Sequence, residues 1–165
     1  MEPLALPSNG LIPNSALPVV LHRTAVDAGA GDAGDALLEA FVAHGWTNNW
    51  RYGGVYPFGH VHSTSHEVLG VAVGSLTVLL GGPGGARVDL RTGDVVILPA
   101  GVSHRQLEAS PDVAVIGGYP DGRDWDLLRD EELTASTSAA AVRRIAGLPV
   151  PAADPVTGDA MTAWT

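Results

Sequence analysis

Residues 54–74 read GVYPFGHVHSTSHEVLGVAVG. His60 and His62 stand one residue apart, Glu67 follows after four more residues, and glycines stand at either end. On an extended strand, side chains two apart point to the same face, so the two imidazoles can serve one ion. Glu67 has the opposite parity. Its carboxylate joins them only if the chain turns or bulges through Ser63, Thr64, Ser65 and His66, polar residues that suit a turn. The stretch is a metal-site candidate carried on strands, and a fourth ligand has to come from elsewhere.

A candidate for that ligand lies in residues 93–104, GDVVILPAGVSH. Gly93 is followed after five residues by Pro99, then by Gly101 and His104. A strand enters, a Pro/Gly turn reverses it, and a histidine opens the next strand.

Around these stretches the chain keeps a β rhythm. Short apolar runs at 68–73, 76–80, 95–98 and 113–116 are separated by Gly-rich or polar turns at 81–85 and 91–94, the pattern of an antiparallel sandwich or barrel. The even positions Trp50, Tyr52, Tyr56, Phe58, His60 and His62 fall on one face if Pro57 keeps the register; they read either as an aromatic lining of the metal pocket or as ordinary core. Residues 1–16 read as an extended arm, packed on a neighbouring subunit or on its own barrel, with 17–21 the first strand. Leu37, Leu38, Phe41 and Val42 recur at helical spacing before Gly45, which predicts a helix over 32–44. Two more helices are predicted at 125–131 and 136–146, with Gly147 and Pro149 as the stop and Trp164 fixing the tail. The reading is one domain over 1–165, with a barrel core at 50–118 and a C-terminal helical segment at 124–147.

Composition removes several chemistries. Cysteine is absent, which excludes disulfides, thiolate metal sites and cysteine nucleophiles. All nine basic residues are arginines, so lysine Schiff bases are excluded too. A formal charge of −9 argues against a nucleic-acid partner, and the absence of a long apolar run argues against a membrane span. The expectation is a soluble, cytoplasmic protein.

The two quoted stretches resemble the two motifs of the cupin superfamily. The first carries Gly54, His60, His62, Glu67 and Gly74 at the family's spacings, the second Gly93, Pro99, Gly101 and His104. Glu108 departs from the pattern, standing where the second motif usually ends in Asn. Ile12-Pro13-Asn14, Trp46, Trp50-Arg51, Gly118-Tyr119-Pro120 and Asp154-Pro155 extend the resemblance to a bacterial single-domain subfamily whose biochemical role is unassigned. The resemblance implies an all-β jelly-roll barrel of about six to eight strands with a few flanking helices. It also implies one divalent transition metal (iron, manganese, nickel, cobalt or zinc) held by His60, His62, Glu67 and His104. Four protein ligands leave about two positions of an octahedral ion for water or substrate, an open site of the catalytic kind.

Around the ion, Gln106 and Glu108 share the parity of His104 and are expected to face the pocket, with Arg105 outward. Glu108 is then a candidate general base. His66, beside Glu67, is a candidate proton carrier or ligand-orienting residue, or else points to solvent. Tyr52 or Tyr56 is a candidate donor to an anionic substrate, and Arg51 a candidate carboxylate clamp. The expected function is a metal-dependent enzyme on a small molecule, dioxygenase-like or decarboxylase-like. The alternatives are a sugar isomerase or epimerase in which Glu108 or His66 moves a proton, and a non-catalytic module that binds metal or a small ligand. A homodimer is expected.

Overall fold

The computed structural model describes residues 1–27, 29 and 31–165. Alternation of apolar and polar residues builds the strands. In Ser75–Leu80, SLTVLL, the side chains of Leu76, Val78 and Leu80 are buried while Ser75 and Thr77 face outward. Glu67–Val73, EVLGVAV, is buried along nearly its whole length, because one face meets the barrel interior and the other is covered by a helix.

Among the described residues eleven strands, more than the six to eight the motifs imply, form two antiparallel sheets. In chain order they are β1 (Glu2–Leu6), β2 (Ser15–His22), β3 (Trp46–Tyr52), β4 (His60–Val61), β5 (Glu67–Val73), β6 (Ser75–Leu80), β7 (Ala86–Arg91), β8 (Val95–Leu98), β9 (His104–Ala109), β10 (Ala114–Pro120) and β11 (Leu128–Arg129). The six-stranded sheet runs β1-β2-β8-β5-β10-β3 and the five-stranded sheet β11-β4-β9-β6-β7. Between them lies an apolar core that includes Val19, Leu69, Val78, Leu80, Val96 and Val115. A second apolar layer, with Leu37, Phe41, Trp46 and Trp164, covers the outer face of the six-stranded sheet. This is the jelly roll with flanking helices that the motifs imply.

Helix α1 (Gly34–Ala43) falls inside the predicted range. Leu37 and Phe41 are buried, whereas Leu38 and Val42, on the next stripe, stay exposed. Helix α2 (Ala135–Ala146) starts at a capping box in which Thr134 accepts from Thr137 N. The arm forms β1 and pairs with β2 of its own sheet. The helix expected over 125–131 is absent. Leu128 and Arg129 instead extend the edge of the five-stranded sheet against Val61 and His60, and a 3-10 turn follows at Asp130–Glu132. Pairing with β4 overrides the helical pattern of that short segment. No helix among the described residues is long and apolar enough to cross a membrane.

Candidate metal centre

The first motif crosses from one sheet to the other. His60 sits on β4 in the five-stranded sheet, Glu67 opens β5 in the six-stranded sheet, and Ser63–His66 make the crossing. This turn rotates Glu67 into the same cavity as the histidines despite its opposite parity. His104 opens β9 directly opposite His60, with ring centroids 4.1 Å apart. Gly101 N donates to His62 O at 2.8 Å and ties the turn of the second motif to the first.

One ring nitrogen from each of His60, His62 and His104 lies within 4.8 Å of the other two, and all three residues are buried. Each ring has its Nδ1 on a backbone carbonyl: His60 on Phe58 O at 3.1 Å, His104 on Val102 O at 3.1 Å, and His62 on Asp126 O. A carbonyl only accepts, so each Nδ1 carries a hydrogen and each Nε2 is the nitrogen turned to the shared point, able to offer its lone pair when it carries no proton. Glu67 Oε2 lies 3.1 Å from His104 Nε2 and 3.5 Å from His62 Nε2, turned to the same point. Lone pairs thus converge on one buried point, a costly arrangement unless a cation fills it. Three imidazoles and a carboxylate suit a divalent transition metal, so the residues fit the ion that the motifs imply.

Electrostatics agree with this donor set. Burial, then the neighbouring His104 and His62, press the His60 imidazole down to about 3, so it is neutral near pH 7. Burial opposes ionisation of Glu67, but the His62 and His104 rings facing it outweigh burial and hold the carboxyl well below its usual range; against its own burial the His62 imidazole is in turn raised by Glu67, so a ring proton and a metal ion compete for the same position. Tyr119 Oη donates to Glu67 Oε1 at 2.8 Å, and Trp50 Nε1 donates to Tyr119 Oη at 2.9 Å. Burial and the Glu67 charge raise the Tyr119 phenol, which keeps it a donor. A side chain at Gly117 would collide with the Trp50 indole at 2.1 Å, so only glycine lets that ring lie on β10 and reach Tyr119.

The turn that delivers Glu67 is clamped by Asp126. Its carboxylate accepts from Ser63 N at 2.6 Å, Thr64 N at 3.2 Å and both hydroxyls. Arg144 from α2 adds a bond to Ser63 Oγ at 2.7 Å. Although burial opposes its ionisation, these Ser63 and Thr64 donors lower the pKa of Asp126 below its ordinary value. Neither Asp126 nor Tyr119 is singled out as a site residue by the sequence; Tyr119 stands in the Gly118-Tyr119-Pro120 match, and nothing local marks Asp126.

The ion site opens into a cavity of about 490 Å³ walled by Trp50, Tyr52, Tyr56, Tyr119 and Trp125. The even-numbered aromatics from Trp50 to Tyr56 do line it, but not from one strand face: β3 belongs to one sheet and β4 to the other. Phe58 turns out of the cavity and lies under the Arg129 guanidinium, 3.9 Å from the ring centre.

Several expected positions are corrected. Glu108 does not face the pocket: between Gln106, opposite Val78, and Glu108, opposite Thr77, the strand carries an extra residue, Leu107. This bulge reverses the parity, and Glu108 sits outside, 75% exposed, on Arg87 Nη2 at 3.3 Å. Gln106 holds the rim, its Oε1 accepting from Val55 N at 3.0 Å. The Cβ of any other residue at Gly54 would lie 2.2 Å from that oxygen, which accounts for the first glycine of the motif. His66 is buried on the far side of the sheet against Trp164, ring centroids 4.7 Å apart, and its Nδ1 accepts from Ala100 N at 2.9 Å. It joins the two motifs from behind and is not among the residues that line the cavity at the ion site. Arg51 points outward to Asp32, Nη2 to Oδ2 2.8 Å.

The fold, the two motifs and the buried histidine triad define a cupin with a site that can hold a metal ion. No family model matches the chain. It is 38% identical over 154 residues to Uncharacterized protein YjlB of Bacillus subtilis (strain 168), spanning 92% of this chain and 87% of that protein, and it belongs to the same family. Among solved structures it is similar to acireductone dioxygenase from Bacillus anthracis with cadmium ion in its active centre, at 12% identity over 67% of this chain and 82% of that one, TM-score 0.47. RmlC from Streptococcus suis in complex with dTDP-D-xylose aligns at 15% identity over 75% and 72% of the two chains, TM-score 0.38.

Proposed function

We propose that the protein is a metal-dependent enzyme that acts on a small molecule, in the dioxygenase or decarboxylase class, with His60, His62, Glu67 and His104 holding one divalent ion. The observation that carries the reading is the junction of the donor set with the aromatic cavity: a closed structural site has no need of an open approach of about 490 Å³. The ion, when bound, supplies Lewis-acid or redox chemistry to a molecule that reaches it through that opening. The chain's own residues do the rest. Tyr119 keeps Glu67 aimed, the three carbonyls hold the Nδ1 side of each imidazole, and the aromatic walls shape the approach to the ion.

The isomerase and epimerase reading is weaker, because both proton movers it relied on, Glu108 and His66, lie outside the cavity. Among the described lining residues no carboxylate other than Glu67 and no arginine is present. Purified protein should contain close to one transition-metal ion per chain by elemental analysis, and should take up oxygen with candidate enediols or keto acids. A chain free of metal whose stability is unaltered by chelator overturns the reading. Metal and ligand bound without turnover assign the barrel to the binding modules.

A further inference from the structure

β4 is two residues long, and among the described residues its ladder with β9 consists of the single pair His60 and His104. Those two residues bring imidazoles to one point, so the spacing of their strands sets the spacing of two donors. A single pair is a weak constraint on so short a strand.

Asp130 adds a second tie. It follows β11, whose Arg129 lies opposite His60, and its N–H donates to Gly59 O at 2.9 Å. Its side chain then passes over β4 at Gly59 and reaches the start of β9, where Ser103 Oγ donates to Oδ2 at 2.5 Å. Gly59 lets it pass: a Cβ there would lie 2.2 Å from Oδ2. The carboxylate thus bridges the sequence neighbours of His60 and His104, and it does so outside the cavity that holds the donors. The far end of the bridge is anchored in turn, since Ser103 N donates to Asn14 Oδ1 at 3.2 Å and Ser103 O accepts from Gly81 N at 2.7 Å. The other carboxylate oxygen, Oδ1, is buried without a partner among the described residues. Such a group lowers stability, and groups of this kind are retained where a site needs them.

Resting on the metal-centre reading, we infer that Asp130 is a positioning residue: it holds β4 against β9 through Gly59 and Ser103 and so fixes the distance between the His60 and His104 donors. The test uses the full chain loaded with cobalt, whose visible bands report the donor arrangement, with affinity measured by competition against a chelator. Asp130→Ala and Ser103→Ala should each weaken cobalt by about tenfold or more, the usual scale for losing a partner that orients ligands, and should shift the bands of the loaded protein. The double variant should be no worse than the weaker single one, because both remove the same bridge. Asp130→Asn keeps an oxygen for Ser103 and should restore the wild-type bands and most of the affinity. Where Asp130→Ala fails to fold, Ser103→Ala and Asp130→Asn carry the comparison. Reduced urea stability with wild-type affinity and bands makes Asp130 a support of the sheet edge and overturns the inference, as do additive losses in the double variant; the metal reading then stands. Wild-type protein that takes up no cobalt, zinc or iron overturns the metal reading and this inference with it.

Discussion

Tyr119 hydrogen-bonds Glu67 Oε1 at 2.8 Å and thereby turns the other carboxylate oxygen, Oε2, toward the histidines, 3.1 Å from His104 Nε2. Without that bond the carboxylate is free to rotate and the donor set loses its aim. Tyr119→Phe keeps the ring on Trp125 and removes only the hydroxyl, so the fold should persist. Metal affinity, titrated with zinc by calorimetry, should fall about 10- to 100-fold, the usual effect of losing a partner that orients a ligand. Wild-type affinity in the variant means that Glu67 is held by something else.

His62 and His66 separate the centre from its scaffold. His62→Ala removes a donor and should leave the purified chain nearly free of metal. His66→Ala should keep its metal, because the ring lies behind the sheet on Trp164, yet lose about 1–3 kcal/mol of stability through the vacated packing and the unpaired Ala100 N–H. Equal metal loss in both variants contradicts the placement of the turn.

That contrast also marks what the sequence makes legible. His60 and His62 are readable because their spacing is local and the parity of a strand is simple, whereas Glu67, of opposite parity, and His104, from a distant stretch, join them in the sequence only through the resemblance to the two motifs. Glu108 follows the same parity argument and misleads, since a bulge at Leu107 depends on how β9 pairs with β6, a relation between distant segments. Trp125 and Asp126 fail for a related reason: a local pattern suggests a helix, and pairing of Leu128 with Val61 overrules it. Glu108→Gln should accordingly change neither metal content nor ligand binding, measured side by side with His62→Ala.

Asp126 holds the crossing between sheets by four contacts to Ser63 and Thr64, and its own carbonyl holds the Nδ1 side of His62. Asp126→Ala should cost on the order of 2 kcal/mol in urea unfolding, since buried amides of the turn lose their acceptor. It should also weaken metal binding, because His62 moves with the turn. Asp126→Asn keeps an acceptor and should recover part of both. Lost stability with unchanged metal affinity separates the clamp from the centre.

Asp130 gives a pH dependence of definite sign. It accepts from Ser103 Oγ through Oδ2, while Oδ1 is buried without a partner among the described residues, and burial raises its pKa above the ordinary 3.8. Below 3.8 folded and unfolded chains are both protonated and the site costs nothing. As pH rises past that value the unfolded chain releases its proton first, so this residue's contribution to stability falls and stays low above the raised folded value. Asp130→Asn removes the charge and keeps an oxygen for Ser103. Its stability relative to wild type, from urea midpoints at matched pH, should therefore increase between pH 3.5 and pH 7, other titrating groups cancelling in the difference. A difference that stays constant, or that shrinks toward neutral pH, means the folded protein solvates the Asp130 carboxylate as well as water does.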